Sequence, residues 1–234
     1  MTEVFNIDCY EYMRTLPDNA FDLTIADPPY GIGADKPSVK PNVVKQRNGT
    51  YLHVDAPDYG RKDWDATVPP QEFFAELQRV SRNQIIWGAN YFGLTGGMIV
   101  WDKMNGESDQ YGCEIAYQSF SQRTDVVHYM WAGMFQGEVC SVDISKAFRQ
   151  NGNKQLNERR IHPCQKPVAL YSWLLQHYAK EGDRIFDPMM GSQSSRIACH
   201  KLGFDYVGCE LDKEYFDQGN ERFYRECLMQ PILF

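Results

Sequence analysis

The chain has no apolar run long enough to span a bilayer, and its first residues, MTEVFNIDCYEYM, lack the basic start and apolar stretch of a secretion signal. A cytoplasmic protein with no membrane partner is therefore expected. Paired cysteines are missing too. Cys9, Cys113, Cys140, Cys164, Cys199, Cys209 and Cys227 stand singly, and none forms a C-x-x-C pair. That argues against a disulfide framework or a zinc site, so the thiols read as reduced and no metal is expected. Internal repeats and low-complexity linkers are absent, as is the G-x-G-x-x-G fingerprint of dinucleotide folds.

Excess positive charge is also lacking, with a net charge of −7 over 234 residues. The distribution matters more than the sum. Residues 36–54 carry Lys36, Lys40, Lys45 and Arg47 and no acid; residues 144–162 carry Lys146, Arg149, Lys154, Arg159 and Arg160 against Glu158 alone. Each segment is +4, and together they offer an anion-binding face on an acidic body. The bland reading is a pair of solvated loops.

What is present is a series of short apolar runs: 4–7, 21–26, 84–88, 98–102, 114–120, 184–187 and 206–211. Such runs predict strands buried on both faces. Between several of them lie helical patterns. Residues 71–80 place Phe73, Phe74, Leu77 and Val80 on one stripe, and 167–180 open with Pro167 at a first helical position. Residues 192–202 open with Ser192 as a candidate cap. The alternation predicts a single α/β domain over 1–234, with a mostly parallel twisted sheet flanked by helices. Residues 31–66 and 132–160 fit neither pattern and read as long loops, which in compact domains usually carry function.

Two stretches carry chemistry. In FDLTIADPPYGIG, Asp27 ends a core strand and Pro28 and Pro29 stop the sheet, since they have no N–H and a fixed φ. Their free carbonyls, the acceptor-only carboxylate of Asp27 and the flat ring of Tyr30 suit an amino group on an aromatic base. A turn that merely contains an acid is the structural alternative. In RIFDPMMGSQSS a strand ends at Asp187, turns through Gly191 and enters a helix, and Glu210 closes the next strand. Strand, glycine turn, helix, strand and acid is the layout of a nucleotide-binding crossover, with the last acid on ribose hydroxyls. Asp187 would repel a pyrophosphate, which needs N–H donors there. S-adenosylmethionine, with a sulfonium, an ammonium and a ribose but no phosphate, fits better.

With both stretches in hand, the sequence resembles the amino-methyltransferases that act on exocyclic amines of DNA bases, in the β-class order with the catalytic motif first. HPCQKP (162–167) is similar to the HPTQKP element of that family, GCELD (208–212) to its ribose-binding acid, and IDCYEYMRTLPD (7–18) to the element that contacts the cofactor adenine. Departures are DPMMGSQ for DPFxGSG, Ile7 for a glycine and Cys164 for a threonine.

The resemblance implies a Rossmann-like methyltransferase fold with permuted motif order. It implies S-adenosylmethionine as cofactor and a flipped-out base in duplex DNA as substrate. It implies catalysis by Asp27, Pro28, Pro29 and Tyr30. Cofactor contacts fall on Asp8, Cys9, Gln165, Lys166, Asp187, Pro188, Gly191, Ser192, Glu210 and Leu211, with Gln165 and Lys166 closing over the cofactor. Nucleic-acid contacts fall on Lys36, Lys40, Lys45, Arg47, Lys154, Arg159 and Arg160. Only 121–160 remains for target recognition, so specificity is expected to be weak, shared with the 31–66 loop or completed by a homodimer partner. Asp at the first catalytic position is similar to the N6-adenine members, whereas Ser there is more usual in N4-cytosine ones. The competing expectations are an N4-cytosine or RNA adenine methyltransferase, a protein-amine substrate, and a non-catalytic cofactor- or nucleic-acid-binding module.

Overall fold

The computed structural model describes residues 1–34, 42–45, 49–54, 62–106, 111–132 and 135–229. In chain order these form β1 (Thr2–Phe5), α1 (Cys9–Arg14), β2 (Phe21–Ala26), a hairpin of β3 (Asn42–Lys45) and β4 (Tyr51–Val54), α2 (Gln71–Val80), β5 (Ser81–Trp87) and α3 (Ala89–Phe92). Then come β6 (Gly97–Asp102), β7 (Cys113–Gln118), β8 (Thr124–His128), the short pair β9 (Trp131–Ala132) and β10 (Phe135–Gln136), and α4 (Ile144–Ala147). The last part holds α5 (Val168–Tyr178), β11 (Arg184–Asp187), α6 (Ser194–Leu202), β12 (Asp205–Cys209) and α7 (Lys213–Phe223).

Eight strands pair in the order β1-β12-β11-β2-β5-β7-β6-β8. The five from β1 to β5 are parallel, β7 is antiparallel to both its neighbours, and β8 returns parallel to β6. The mostly parallel sheet expected from the apolar runs is thus present. Alternation of side chains builds a core on each face. Ile85 and Trp87, Ile185 and Tyr206 face α5 and α6. Ile86, Phe186 and Val207 face Met13 of α1 and Phe73, Leu77 and Val80 of α2. Burial on both sides explains why these strands read as continuous apolar runs rather than alternating ones.

Three differences from the sequence reading bear on the site and its surroundings. Pro167 stands just before the first turn of α5. Ser192 does not cap α6: Gln193 does, in the left-handed region at φ 60° and without a side-chain cap bond. Thr124–His128 lies within the expected insertion yet joins the main sheet beside β6. Its short TDVVH pattern, half polar, gave no strand signal.

Candidate active site

Because β1, β12, β11, β2 and β5 are parallel, their carboxyl ends share one edge of the sheet. β7 runs the other way, so that edge also receives its first residues, and with them the end of β6. A cavity of about 870 Å³ opens there, the size of a small-molecule or nucleotide site. Asp27 and Tyr30 after β2, Lys103 after β6 and Glu114 at the start of β7 line one part of it. Asp8, Gly191 and Glu210 line another.

Around Asp27 the structure shows a network of charges. Lys166 Nζ lies 2.5 Å from Asp27 Oδ2 and 3.1 Å from Glu114 Oε2, and its side chain is only 3% exposed. Lys103 Nζ holds the other Glu114 oxygen at 2.6 Å. The Tyr30 hydroxyl donates to Asp27 Oδ1 at 2.7 Å, lies 3.3 Å from Glu114 and receives a bond from Lys166 at 3.2 Å. Burial raises the Asp27 carboxyl, and Lys166 opposes that rise. Burial works against ionisation of Glu114 as well, but Lys166 and then Lys103 outweigh it and hold that carboxyl at about 2. Burial first, then Asp27, pushes the Tyr30 phenol well above its ordinary value, so it is a proton donor here. The ring of Tyr30 stacks on Tyr91 with centroids 4.9 Å apart. It also lies against Gly88, where an added Cβ would stand 2.4 Å from Cε1 and where φ is +78°. Only glycine fits there.

The other part of the cavity is held by backbone donors. Glu210 accepts from the N–H of Gly191 and of Asp212, both at 2.8 Å. Gly191 has φ +44°, and its missing side chain leaves the turn open beside His162. Asp8 caps α1, accepting from Tyr10 N–H at 2.7 Å and Glu11 N–H at 3.3 Å. Among the described residues no cationic side chain pairs with Asp8 or Glu210, whereas Asp212 is paired with Lys62 at 2.7 Å. Asp187 differs from expectation. It is 2% exposed, and its oxygens accept from Met189 N–H at 3.0 Å and the Ser195 hydroxyl at 2.5 Å. Its carboxylate therefore orders the turn and α6 rather than lining the cavity. Burial pushes it up to about 7.

A family model described as DNA methylase, of the N6/N4 methyltransferase type, matches residues 21–221. The chain belongs to the N6/N4 DNA methylase family. Among curated relatives of this methylase, the type II methyltransferase M2.MboI of Moraxella bovis is 24% identical over 98% of this chain and 90% of its own length. The putative methylase YubD of Escherichia coli K12 is 24% identical over 95% and 90%. Among solved structures, the M1.HpyAVI–SAM complex aligns with TM-score 0.51 and 20% identity, over 95% of this chain and all of that one. TTHA0409 of Thermus thermophilus, a putative DNA modification methylase complexed with S-adenosylmethionine, gives 0.52 and 16%, over 98% of each chain. The cytosine-N4-specific PvuII DNA methyltransferase gives 0.53 and 12%, over all of this chain and 88% of that one.

In this methylase the remaining residues singled out from the sequence divide. Pro28, Pro29, Cys9, Pro188, Ser192 and Leu211 line the cavity. Cys9 is no nucleophile, since burial pushes its thiol up to about 12. Gln165 also lines the cavity and ties down the preceding loop, accepting from Ile161 N–H at 3.0 Å and reaching the Arg159 carbonyl at 3.4 Å. Lys166 sits in the Asp27 cluster. His162 accepts from Cys164 N–H on Nδ1 at 3.2 Å, and burial, then Lys166, lowers its imidazole to about 3. It is a neutral wall packed between Trp64 and Tyr215. Arg159 is exposed, while Arg160 lines the cavity, its guanidinium 4.6 Å from the Trp131 ring. Lys36, Lys40 and Arg47 lie outside the described residues, as do the side chains of Lys45 and Lys154.

Sequence reasoning missed four groups. Lys103 just follows β6 and Glu114 stands near the start of β7, and nothing in their spacing marks them as partners of Lys166. Asp65, 1% exposed, shapes the turn after the prolines by accepting from Gly31 N–H at 2.9 Å and Ala34 N–H at 2.7 Å. Arg222, fully buried, bonds the Ser192 carbonyl at 3.0 Å, the Ser194 hydroxyl at 2.9 Å and Glu158 at 2.9 Å, tying α7 to the glycine turn.

Proposed function

We propose that this DNA methylase transfers a methyl group from S-adenosylmethionine to the N6 amine of a flipped-out adenine in DNA. The carrying observation is that Asp27 and Tyr30 open into the same cavity as Gly191 and Glu210. The residues fit that cofactor. Asp8 and Glu210, which pair with no cationic side chain among the described residues, suit a ligand with cationic groups and a ribose, and would repel a phosphate. Two structural neighbours carrying S-adenosylmethionine support the same reading. Bound there, the cofactor supplies a methyl group activated by an adjacent sulfonium.

The chain's own residues would supply the rest. An exocyclic amine is a poor nucleophile because its lone pair is delocalised into the ring. Asp27 and the Pro28 carbonyl, accepting its two N–H bonds, draw the nitrogen toward tetrahedral geometry and stabilise the positive charge that develops on it. The Tyr30 hydroxyl, already bonded to Oδ1, fixes the carboxylate plane. Tyr91 covers one face of Tyr30, so a base would stack within an aromatic wall rather than on an isolated ring. Extruding the base costs a few kcal/mol, and phosphate contacts from basic residues such as Arg159 would offset it. Asp27 in place of serine favours adenine over cytosine.

The test incubates the protein with labelled S-adenosylmethionine and unmethylated chromosomal DNA, then digests the DNA to nucleosides. Label in N6-methyladenine is expected. Label in N4-methylcytosine would move the substrate to cytosine, and no label in DNA would overturn the reading.

A further inference from the structure

An amino group seeking Asp27 meets a competitor. The Lys166 ammonium already bonds Oδ2 at 2.5 Å, and a charged donor outcompetes a neutral amine. With 3% of its side chain exposed, this ammonium cannot retreat into water. Glu114 gives it somewhere to go. Its Oε2 is 3.1 Å from Lys166, and its Oε1 is anchored by Lys103. The Tyr30 hydroxyl touches all three groups and can follow the change.

We infer that Glu114 is a positioning residue that takes over the Lys166 ammonium when the target base arrives, freeing Asp27 for the amino group. Lys166 is then a placeholder between turnovers, not a cofactor clamp. The exchange moves no proton and breaks no covalent bond. It rests on the proposed role of Asp27. The charges also balance. Two carboxylates and two ammonium groups share the corner, so it stays neutral overall when Lys166 shifts, and Asp27 keeps the Tyr30 hydroxyl and gains the N–H of the incoming amine.

Titration of Asp27 is governed by its surroundings. These are Tyr30 in its own turn, Glu114 on β7, Lys103 after β6, Cys164 and Lys166 before α5, Tyr171 on α5 and Asp187 on β11.

The experiment compares steady-state methylation of chromosomal DNA by the wild type, Glu114→Gln, Glu114→Asp, Lys166→Met and the double Glu114→Gln/Lys166→Met. Calorimetric S-adenosylmethionine binding serves as the fold check. Glu114→Gln leaves Lys166 locked on Asp27, and kcat/KM for DNA falls roughly 10²-fold. Glu114→Asp restores most of it. Removing the placeholder as well rescues the loss, so the double variant exceeds Glu114→Gln by about tenfold. Lys166→Met alone leaves Asp27 beside an anion, which raises its pKa. Its activity returns as pH rises, with the acid limb above that of the double variant. Additive losses in the double variant, wild-type kinetics in Glu114→Gln, or loss of cofactor binding in Glu114→Gln would each overturn the inference. A wild type that labels no DNA removes the premise, and with it the inference, whatever the variants do.

Discussion

Asp27 and Asp187 close neighbouring parallel strands, and the protein holds them in opposite ways. Asp27 is met by an ammonium and a phenol, with Glu114 and Lys103 completing a neutral set. Asp187 is met by a hydroxyl and a backbone N–H, and nearby Glu210 by two more N–H groups. Neutral donors satisfy lone pairs without cancelling charge. The Glu210 carboxylate therefore faces the cavity with no cationic side-chain partner among the described residues, while the Asp27 side is balanced until something displaces Lys166. One edge of one sheet carries two electrostatic regimes.

Each half of that contrast can be broken separately. The largest effect is expected from Arg222→Met on the Asp187 side. It takes the cation from the largely buried Glu158 carboxylate and from Glu226 and frees the glycine turn, so stability drops by about 3–5 kcal/mol, read as a lower Tm or denaturation midpoint. Asp27→Ala follows: kcat falls about 10²–10³-fold or more, with S-adenosylmethionine binding unchanged by calorimetry. Glu210→Gln does the reverse, weakening that binding by roughly tenfold while leaving kcat at saturating cofactor nearly intact.

A pH series sharpens the contrast further. Burial raises Asp187 to about 7 in the folded protein, above the roughly 3.9 of an unfolded aspartate. Folding then favours the protonated acid. The contribution to stability is complete below about pH 4 and is lost as pH rises to about 7, with a slope up to ~1.4 kcal/mol per pH unit. Asp187→Asn should flatten that slope in denaturation curves. Least of all, Asp8→Ala removes the cap of α1 and costs about 1 kcal/mol.

Much of this was legible beforehand, and for physical reasons. Strands such as FDLTIA and RIFD are buried on both faces, so their composition betrays them, and the acids that follow them fall at the carboxyl edge by topology alone. Charge partners were not legible. Lys166 sits in a motif that suggested cofactor contact, and nothing in its spacing points to Asp27. Glu114 meets both because β7 runs against the parallel strands, and strand direction leaves no trace in six residues of sequence. Asp65 and Arg222 organise turns distant in the chain, which only the folded backbone brings together. Asp187 had the expected location but not the expected heading, since the serine at 195 turned its carboxylate inward.

Gln193 leaves one more consequence. Its backbone adopts a conformation natural to glycine, yet it carries a long side chain that bonds the Phe216 carbonyl at 3.2 Å and receives Arg196 at 2.7 Å. Gly219 on α7 makes the room: a Cβ there would stand 2.6 Å from the Gln193 amide nitrogen. The two sites are therefore a lock and its keyhole, and anyone redesigning this turn must edit them as a couple. Glycine at 193 would license an alanine at 219 and a firmer helix, whereas alanine at 219 alone would jam the bolt.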